Sequence, residues 1–355
     1  MTETLNVAVV GAGYWGPNLA RNFRASAEWN LAAICDLDIE RAQGVADGIG
    51  GVPVTASLDE VLADPSIDAI AIATPARTHH PIALAALEAG KHVMVEKPLA
   101  DEQHRGEDMV ARANELGLVL MADHTYCYTP AVLKIRELIA DGALGEILFV
   151  DSVRINLGLI QPDVDVFWDL APHDLSIMDF VLPGGLDTTS VSAHGADPLR
   201  TGKACVGYLA MPLAGGAMAH IHVNWLSPTK IRQMVIGGTK RTLVWDDLNP
   251  QQRISVYDRG VDIASVTKSA SAVARDANIS YRLGDTWSPA LPEREALGNV
   301  VTEFASAINE DRQARTSGQA GLRVLSVLDA ARRSLAAGGA PAPMFLDIQP
   351  VRSAA

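Results

Sequence analysis

The stretch Val7-Ala-Val-Val-Gly-Ala-Gly-Tyr-Trp-Gly16 joins a short apolar run to three glycines in Gly-x-Gly-x-x-Gly spacing, then to a segment of helical periodicity. Few folds accept that order: a strand, a tight glycine turn and a helix open a βαβ unit. Gly11 allows the turn, Gly13 lets the backbone approach a pyrophosphate with no Cβ in the way, and Gly16 lets the helix pack closely on its strand. Free N–H groups at the helix start can hold an anion. Pro17 fits the first turn, where its missing N–H costs no helical bond. Tyr14 and Trp15 stand between the glycines at the same mouth. Taken alone, the spacing equally suits a glycine-rich turn that binds nothing.

The next segment favours a ligand. Leu31–Cys35 reads as a second buried strand ending at Asp36, about 20 residues past the last glycine, where a carboxylate accepts hydrogen bonds from an adenosine ribose. An acid with no arginine beside it repels a 2′-phosphate, so the reading favours NAD over NADP. The structural alternative for Asp36 is a helix or turn cap.

Apolar runs alternate with helix-period segments through the first third of the chain: Val7–Val10, Gly16–Ala25, Leu31–Cys35, Ile39–Gly48, Ser57–Ala63, Ala69–Ala73, His80–Ala89, His92–Val95, Glu102–Leu116 and Val119–Met121. This alternation predicts a doubly wound parallel sheet over residues 1–122. Right-handed crossovers then bring Gly11, Asp36, Thr74 and Lys97 to one edge. After Ala122 come a helix at Ala131–Asp141, a strand at Ile147–Leu157 and a short helix near Leu170–Val181. Strand-like runs follow without helices between them: Thr188–His194, Ala204–Met211, Ala217–Trp225, Lys230–Gly237 and Arg241–Trp245. Residues 123–355 are therefore expected to form an α+β domain with an open, mostly antiparallel sheet, the whole chain being α/β. Helices at Glu293–Ile308 and Ala320–Ala336 precede an apolar run at Met344–Ile348, and residues 261–280 read as a surface excursion.

At 355 residues the chain can bury two cores. A net charge of −13 argues against nucleic acid as partner, since phosphate contact needs a basic face. No apolar run is long enough to span a bilayer, and no basic-then-apolar leader is present, which makes the cytoplasm the expected compartment. Cys35, Cys127 and Cys205 lack CxxC spacing, so buried thiols are expected rather than disulfides or a zinc site.

Two further clusters carry chemistry. Glu96-Lys97-Pro98 ends a buried strand at the glycine-turn edge, and Asp169-Leu-Ala-Pro-His173 spaces a carboxylate and an imidazole four residues apart, on one face if a helix starts near Asp169, with Pro172 tolerable in its first turn. An alcohol that loses hydride must also lose its hydroxyl proton, which requires a base near neutrality and a stabiliser of alkoxide charge. His173 suits the first task and Lys97 the second, with Asp169 orienting the imidazole. No metal is required: the pairs His79/His80 and His220/His222 lack a third ligand. Taken singly, a solvated strand-end lysine, a capping Asp169 and a core His173 are the structural alternatives.

Together these pieces resemble the glucose-fructose oxidoreductase and inositol dehydrogenase (Gfo/Idh/MocA) family over almost the whole chain. The matching segments are Gly11–Gly16, Asp36, Ala73-Thr74-Pro75 with His79, Glu-Ala-Gly-Lys91-His92-Val, Glu96-Lys97-Pro98 and Asp169-x-x-x-His173. The resemblance implies a Rossmann domain and an open-sheet domain that makes dimer or tetramer contacts. It also implies a catalytic set of Lys97, Asp169 and His173, and a cis bond before Pro98. Cofactor contacts would come from Gly11, Gly13, Tyr14, Trp15, Gly16, Asp36, Thr74, Pro75, His79, Glu96 and Lys97. Tyr128-Thr129-Pro130 departs from the family's Asn-Pro, which puts one contact in doubt. The segments around Phe167–Ile177 and His220–Pro228 resemble a branch that modifies sugars and nucleotide sugars. Arg154, Asn156, Gln161, Trp168, Trp225 and Lys230 are its candidate substrate residues, with Arg154 foremost because an arginine beside the cleft otherwise needs a buried partner. The expected activity is oxidation and reduction at a ring carbon, C3 for a nucleotide-linked sugar. The alternatives are a cyclitol or free-sugar dehydrogenase, an enzyme that oxidises only transiently to cleave or epimerise, and a non-catalytic dinucleotide sensor.

Overall fold

The computed structural model describes residues 4–161, 164–263 and 279–345. Its first sheet has six strands, β1 (Leu5–Val10), β2 (Trp29–Cys35), β3 (Val54–Thr55), β4 (Ala69–Ile72), β5 (His92–Glu96) and β6 (Leu120–Asp123). All pair in parallel, in the order β3-β2-β1-β4-β5-β6. Helices α1 (Gly16–Ala25), α2 (Ile39–Gly48), α3 (Leu58–Ala63), α4 (His79–Glu88) and α5 (Gln103–Leu116) supply the crossovers. Cover on both faces explains why β1 and β4 are almost wholly apolar and buried. The order reverses between β1 and β4, which opens a crevice at the strands' C-terminal ends.

The chain leaves this sheet at Asp123 and continues through α6 (Pro130–Ala140), β7 (Ile147–Leu157) and α7 (Val166–Val181). It then runs through β8 (Ser190–Ala196), β9 (Val206–Pro212), β10 (Met218–Asn224), β11 (Leu226–Gly238) and β12 (Thr242–Asp246). Strands β13 (Ile254–Ile263) and β14 (Ile279–Trp287), helices α8 (Ala296–Asn309) and α9 (Gly318–Ala336), and β15 (Ala342–Pro343) complete it. Among the described residues, nine strands form the second sheet in the order β14-β13-β12-β11-β7-β10-β9-β8-β15. Of these pairings β7 with β10 is parallel and the rest are antiparallel.

Three features differ from the sequence reading. Strands β13 and β14 occupy part of the expected excursion; residues 264–278 of it, like residues 346–348 of the last apolar run, lie outside the described residues. Their alternation is diluted by Asp258, Arg259, Asp262 and Asp285, as suits strands at a sheet margin. Helix α7 begins at Val166, four residues before the expected start, because Asp165 caps it by accepting the N–H groups of Phe167 and Trp168 at 2.9 and 3.0 Å. Pro172 therefore lies inside the helix rather than in its first turn. Finally, α8 and α9 return to the first sheet. Trp29 donates its indole N–H to the carbonyl of Val301 at 2.7 Å and stacks on Phe304, while the N–H of Ala122 donates to Thr316. A division at 122/123 falls one residue before the end of β6 and does not divide the helical cover that the two sheets share.

Candidate active site at the edge of the parallel sheet

The glycine turn is built as its spacing demands. Gly11 has φ +102°, and a Cβ there would lie 2.7 Å from the Ala73 backbone. A Cβ on Gly16 would come 2.0 Å from the Gly11 carbonyl oxygen, whereas one on Gly13 would meet nothing within 4 Å. The first and third glycines thus serve packing, and the second faces open space at the start of α1. Tyr14 is exposed. Trp15, the N-cap residue of α1, donates its indole N–H to Asp123 at 3.3 Å, tying the turn to β6.

Asp36 ends β2 beside this turn. Its carboxylate accepts the N–H of Ala12 at 2.6 Å, the N–H of Asp38 at 2.8 Å and the guanidinium of Arg41 at 2.6 Å. Burial raises its pKa, but these donors outweigh burial and hold the group below the usual carboxylate range. The arginine corrects the local reading of the sequence, which found none beside Asp36. Arg41 lies in the first turn of α2, and helical side chains point back toward the N-terminus, so five residues of separation become contact. An open space at Gly13, a helix start behind it and an ionised carboxylate at the next strand end fit an NAD dinucleotide.

On the other side of the reversal, Thr74 follows β4 and accepts the hydroxyl hydrogen of Thr78 at 2.8 Å. Pro75 is exposed. His79 is only 1% exposed and spends its ring nitrogens on the carbonyls of Pro98 and Thr74, at 2.9 and 2.8 Å. It braces two loops of the crevice. Lys91 likewise serves the frame, donating to the carbonyls of Asp64 and Ile67. The Lys97–Pro98 bond is cis. Glu96 pairs in register with Asp123 across β5 and β6; burial, then the Asp123 charge, push its carboxyl well above the ordinary range.

Lys97 reaches from β5 to α7. Its ammonium donates to the Asp169 carbonyl at 3.0 Å and lies 3.4 Å from the Asp169 carboxylate. Pro172 has no N–H to offer the carbonyl of Trp168, four residues back and one position before the Asp169 carbonyl that Lys97 meets. The other Asp169 oxygen accepts the indole N–H of Trp225 at 3.0 Å. Asp169 thus orients Lys97, not the imidazole as the sequence suggested. His173, one turn on, packs edge-on against Tyr126, and no hydrogen bond from a described residue reaches its ring. Burial, and then the charges of Lys97, Arg154, His124 and Arg232, push its pKa well below the ordinary histidine value. The result is a neutral imidazole beside a fixed ammonium, a base next to a cation that can stabilise an oxyanion.

The substrate candidates divide. Arg154 is 2% exposed and forms a two-pronged ion pair with Asp174 at 2.8 and 3.0 Å, its guanidinium stacked on Tyr126. It has the buried partner that its position otherwise required. Trp225 and Trp168 are buried as well; the first offers Asp169 its N–H rather than a stacking face. Asn156 stays beside the site, its amide filling the space that a Cβ on Gly158 would take, next to Trp225. Gln161 lies at the end of a described segment and Lys230 is exposed. Two residues escaped the sequence reading. Tyr126 touches both Arg154 and His173. His124 is fully buried with neither ring nitrogen hydrogen-bonded. Both follow β6, and the rule that picked Gly11 and Lys97, the C-terminal ends of parallel strands, would have found them. Among the described residues no cluster of three or more His, Cys, Asp or Glu side chains could hold a metal ion.

Two family models match the chain. One, described as an oxidoreductase family with an NAD-binding Rossmann fold, covers residues 5–124, and the other, the GFO/IDH/MocA C-terminal domain, covers residues 132–244. The UDP-N-acetylglucosamine 3-dehydrogenase of Acidithiobacillus ferrooxidans is 29% identical over 325 residues, 91% of this chain and 94% of the relative. The inositol 2-dehydrogenase of Rhizobium meliloti is 27% identical over 346 residues, 94% of this chain and 97% of the relative. Among solved structures, GenD2 from gentamicin A biosynthesis in complex with NAD superposes with a TM-score of 0.79 at 26% identity, covering 98% of each chain.

Proposed function

The chain belongs to the Gfo/Idh/MocA family of NAD-binding oxidoreductases, and from that premise we propose that it interconverts a secondary ring hydroxyl and a ketone on a sugar. We further propose that the sugar is nucleotide-linked and the carbon C3. The observation that carries the reading is the constellation of Lys97, Asp169 and His173, formed where Lys97 at the C-terminal end of β5 meets α7. The near full-length relative that acts on a UDP-sugar at position 3 supports the finer assignment.

The glycine turn and α1 would hold the pyrophosphate and Asp36 the adenosine ribose, with Thr74 and Glu96 at the nicotinamide half. Bound NAD supplies the hydride acceptor. The protein's own part is the proton. His173, neutral because its surroundings oppose its charging, takes the hydroxyl proton. Lys97, steadied by Asp169, donates a hydrogen bond to the same oxygen as negative charge develops there. An imidazolium formed among Lys97, Arg154 and Arg232 is repelled by them, which favours passing the proton on. In the reverse direction His173 delivers the proton to the alkoxide.

A cyclitol or free sugar is the second reading. It is favoured by the burial of Arg154, which removes the foremost candidate for a phosphate contact, and by the inositol 2-dehydrogenase similarity. Melting temperatures of the NAD-bound protein with UDP-sugars, dTDP-sugars and cyclitols separate the two. A shift with a nucleotide sugar alone supports the leading proposal, and a shift with cyclitols alone replaces it by the second. Phe149, Tyr208, Met218 and Tyr281 are exposed apolar side chains on the second sheet. We assign these side chains to contact with a second copy of the chain, in a homodimer or homotetramer.

A further inference from the structure

Arg232 on β11 stands directly opposite Arg154 on β7 in the antiparallel register. Residues paired in this way share a face of the sheet, and Arg154 faces α7, where Asp174 holds both prongs of its guanidinium. Arg232 therefore faces α7 as well, and its charge is one of those that oppose protonation of His173. Like charges set directly opposite each other are destabilising unless each has a counter-charge. Arg154 has one. Among the described residues Arg232 has only Asp247, whose carboxylate it approaches through a single nitrogen at 3.5 Å, and its side chain stays 32% exposed. Its other guanidinium nitrogens meet no acceptor among those residues. Lys230, two residues earlier on the same strand, adds an exposed second cation. Trp245 pairs with Met234, two residues on along the same face, and buries an indole N–H with no acceptor among the described residues. Donors thus exceed acceptors along this side of the sheet, which is the composition of a site for an anionic group.

We propose that Arg232 is a specificity-determining residue that binds a phosphoryl group carried by the sugar substrate, with Lys230 at the outer end of the same site. The ring that presents its hydroxyl to His173 is thereby held at its anionic substituent, and a neutral cyclitol gains nothing from the contact. The inference rests on the nucleotide-sugar reading and supplies the phosphate contact that the pairing of Arg154 with Asp174 leaves open.

Steady-state oxidation by NAD tests it, in wild type, R232M, R232K and D247N, with UDP-N-acetylglucosamine, N-acetylglucosamine 1-phosphate and myo-inositol as substrates and thermal melts as the check on folding. In R232M the KM for the phosphorylated sugars should rise at least about tenfold, the scale of one charged hydrogen bond, with a much smaller change in kcat. Lysine should restore part of that loss, and added salt should raise the KM of wild type more steeply than that of R232M. A loss with both phosphorylated sugars assigns the phosphoryl group next to the ring, and a loss with UDP-N-acetylglucosamine alone assigns the one next to the nucleoside. An unchanged KM for UDP-N-acetylglucosamine in R232M, with or without a fall in kcat, or an equal rise in KM for myo-inositol, overturns the proposal. Should R232M fail to fold, D247N decides: freeing the guanidinium from that carboxylate should lower the KM for UDP-N-acetylglucosamine several-fold, and an unchanged or higher value overturns the assignment. Wild type that oxidises neither phosphorylated sugar would instead overturn the nucleotide-sugar reading.

Discussion

Around His173 the protein gathers Lys97, Arg154, Arg232 and His124, so charging a histidine here is opposed first by burial and then by like charge. His124 makes the consequence measurable. Its ring takes up a proton near 6.5 when unfolded, whereas burial, aided by Lys97, lowers the folded value to about 4. Between those values the unfolded chain binds more protons than the folded one, so stability is full above the unfolded value and falls as pH falls, by on the order of 3 kcal/mol. Denaturation midpoints should drop from neutral pH toward pH ~4.5 in wild type and drop less in His124→Phe; identical pH dependence in the two proteins would show that His124 is not the group responsible. At this scale the sequence revealed residue types better than their partners. Lys97 and His173 were legible from motif and chemistry. Arg154 was recognised as needing either substrate or a buried partner, but its pairing with Asp174 joins β7 to α7 and has no local signature. Arg41 stayed hidden because it meets Asp36 only once α2 has formed.

Helix α7 carries the site's geometry, and Pro172 is its decisive irregularity. Its missing N–H leaves the Trp168 carbonyl without its helical donor, one position before the Asp169 carbonyl that Lys97 meets. Pro172→Ala supplies that donor and removes the ring's crowding of Trp168, so the backbone at Asp169 should shift; the variant should melt no lower than wild type yet lose about tenfold or more in kcat/KM, as expected for a misplaced ammonium. Unchanged turnover in Pro172→Ala would mean that Lys97 is positioned without the proline. Elements with strong period or local punctuation were legible: β1 with its glycine turn, the buried β4 and β5, and the long α9. The start of α7 was misjudged because the proline was assigned to a first turn, although Asp165 had already capped the helix. Strands β13 and β14 were missed because their charged residues blur the alternation that marks a half-buried strand.

The molecule as a whole is a parallel sheet and an open sheet, with α7 on the inner side of the second and α8 and α9 shared with the first. That return explains why the end of the chain contributes Val301, Phe304 and Thr316 to the packing of β2 and β6, a relation that no reading of consecutive segments would supply. It also brings the edge of the parallel sheet against α7, where Lys97 meets Asp169. Alternation of strands and helices made the two sheets legible, because each follows from local pattern. Their juxtaposition depends on side chains far apart in sequence, such as Lys97 with Asp169 and Asp169 with Trp225. We propose that this junction performs hydride chemistry with His173 as base and Lys97 as oxyanion partner. NADH formation on mixing the protein with NAD and UDP-N-acetylglucosamine or myo-inositol, in wild type, Lys97→Ala and His173→Ala, tests it. Wild type is expected to turn over one substrate, with a loss of about a hundredfold or more in each variant that still binds NADH. Wild-type turnover in either variant would contradict it.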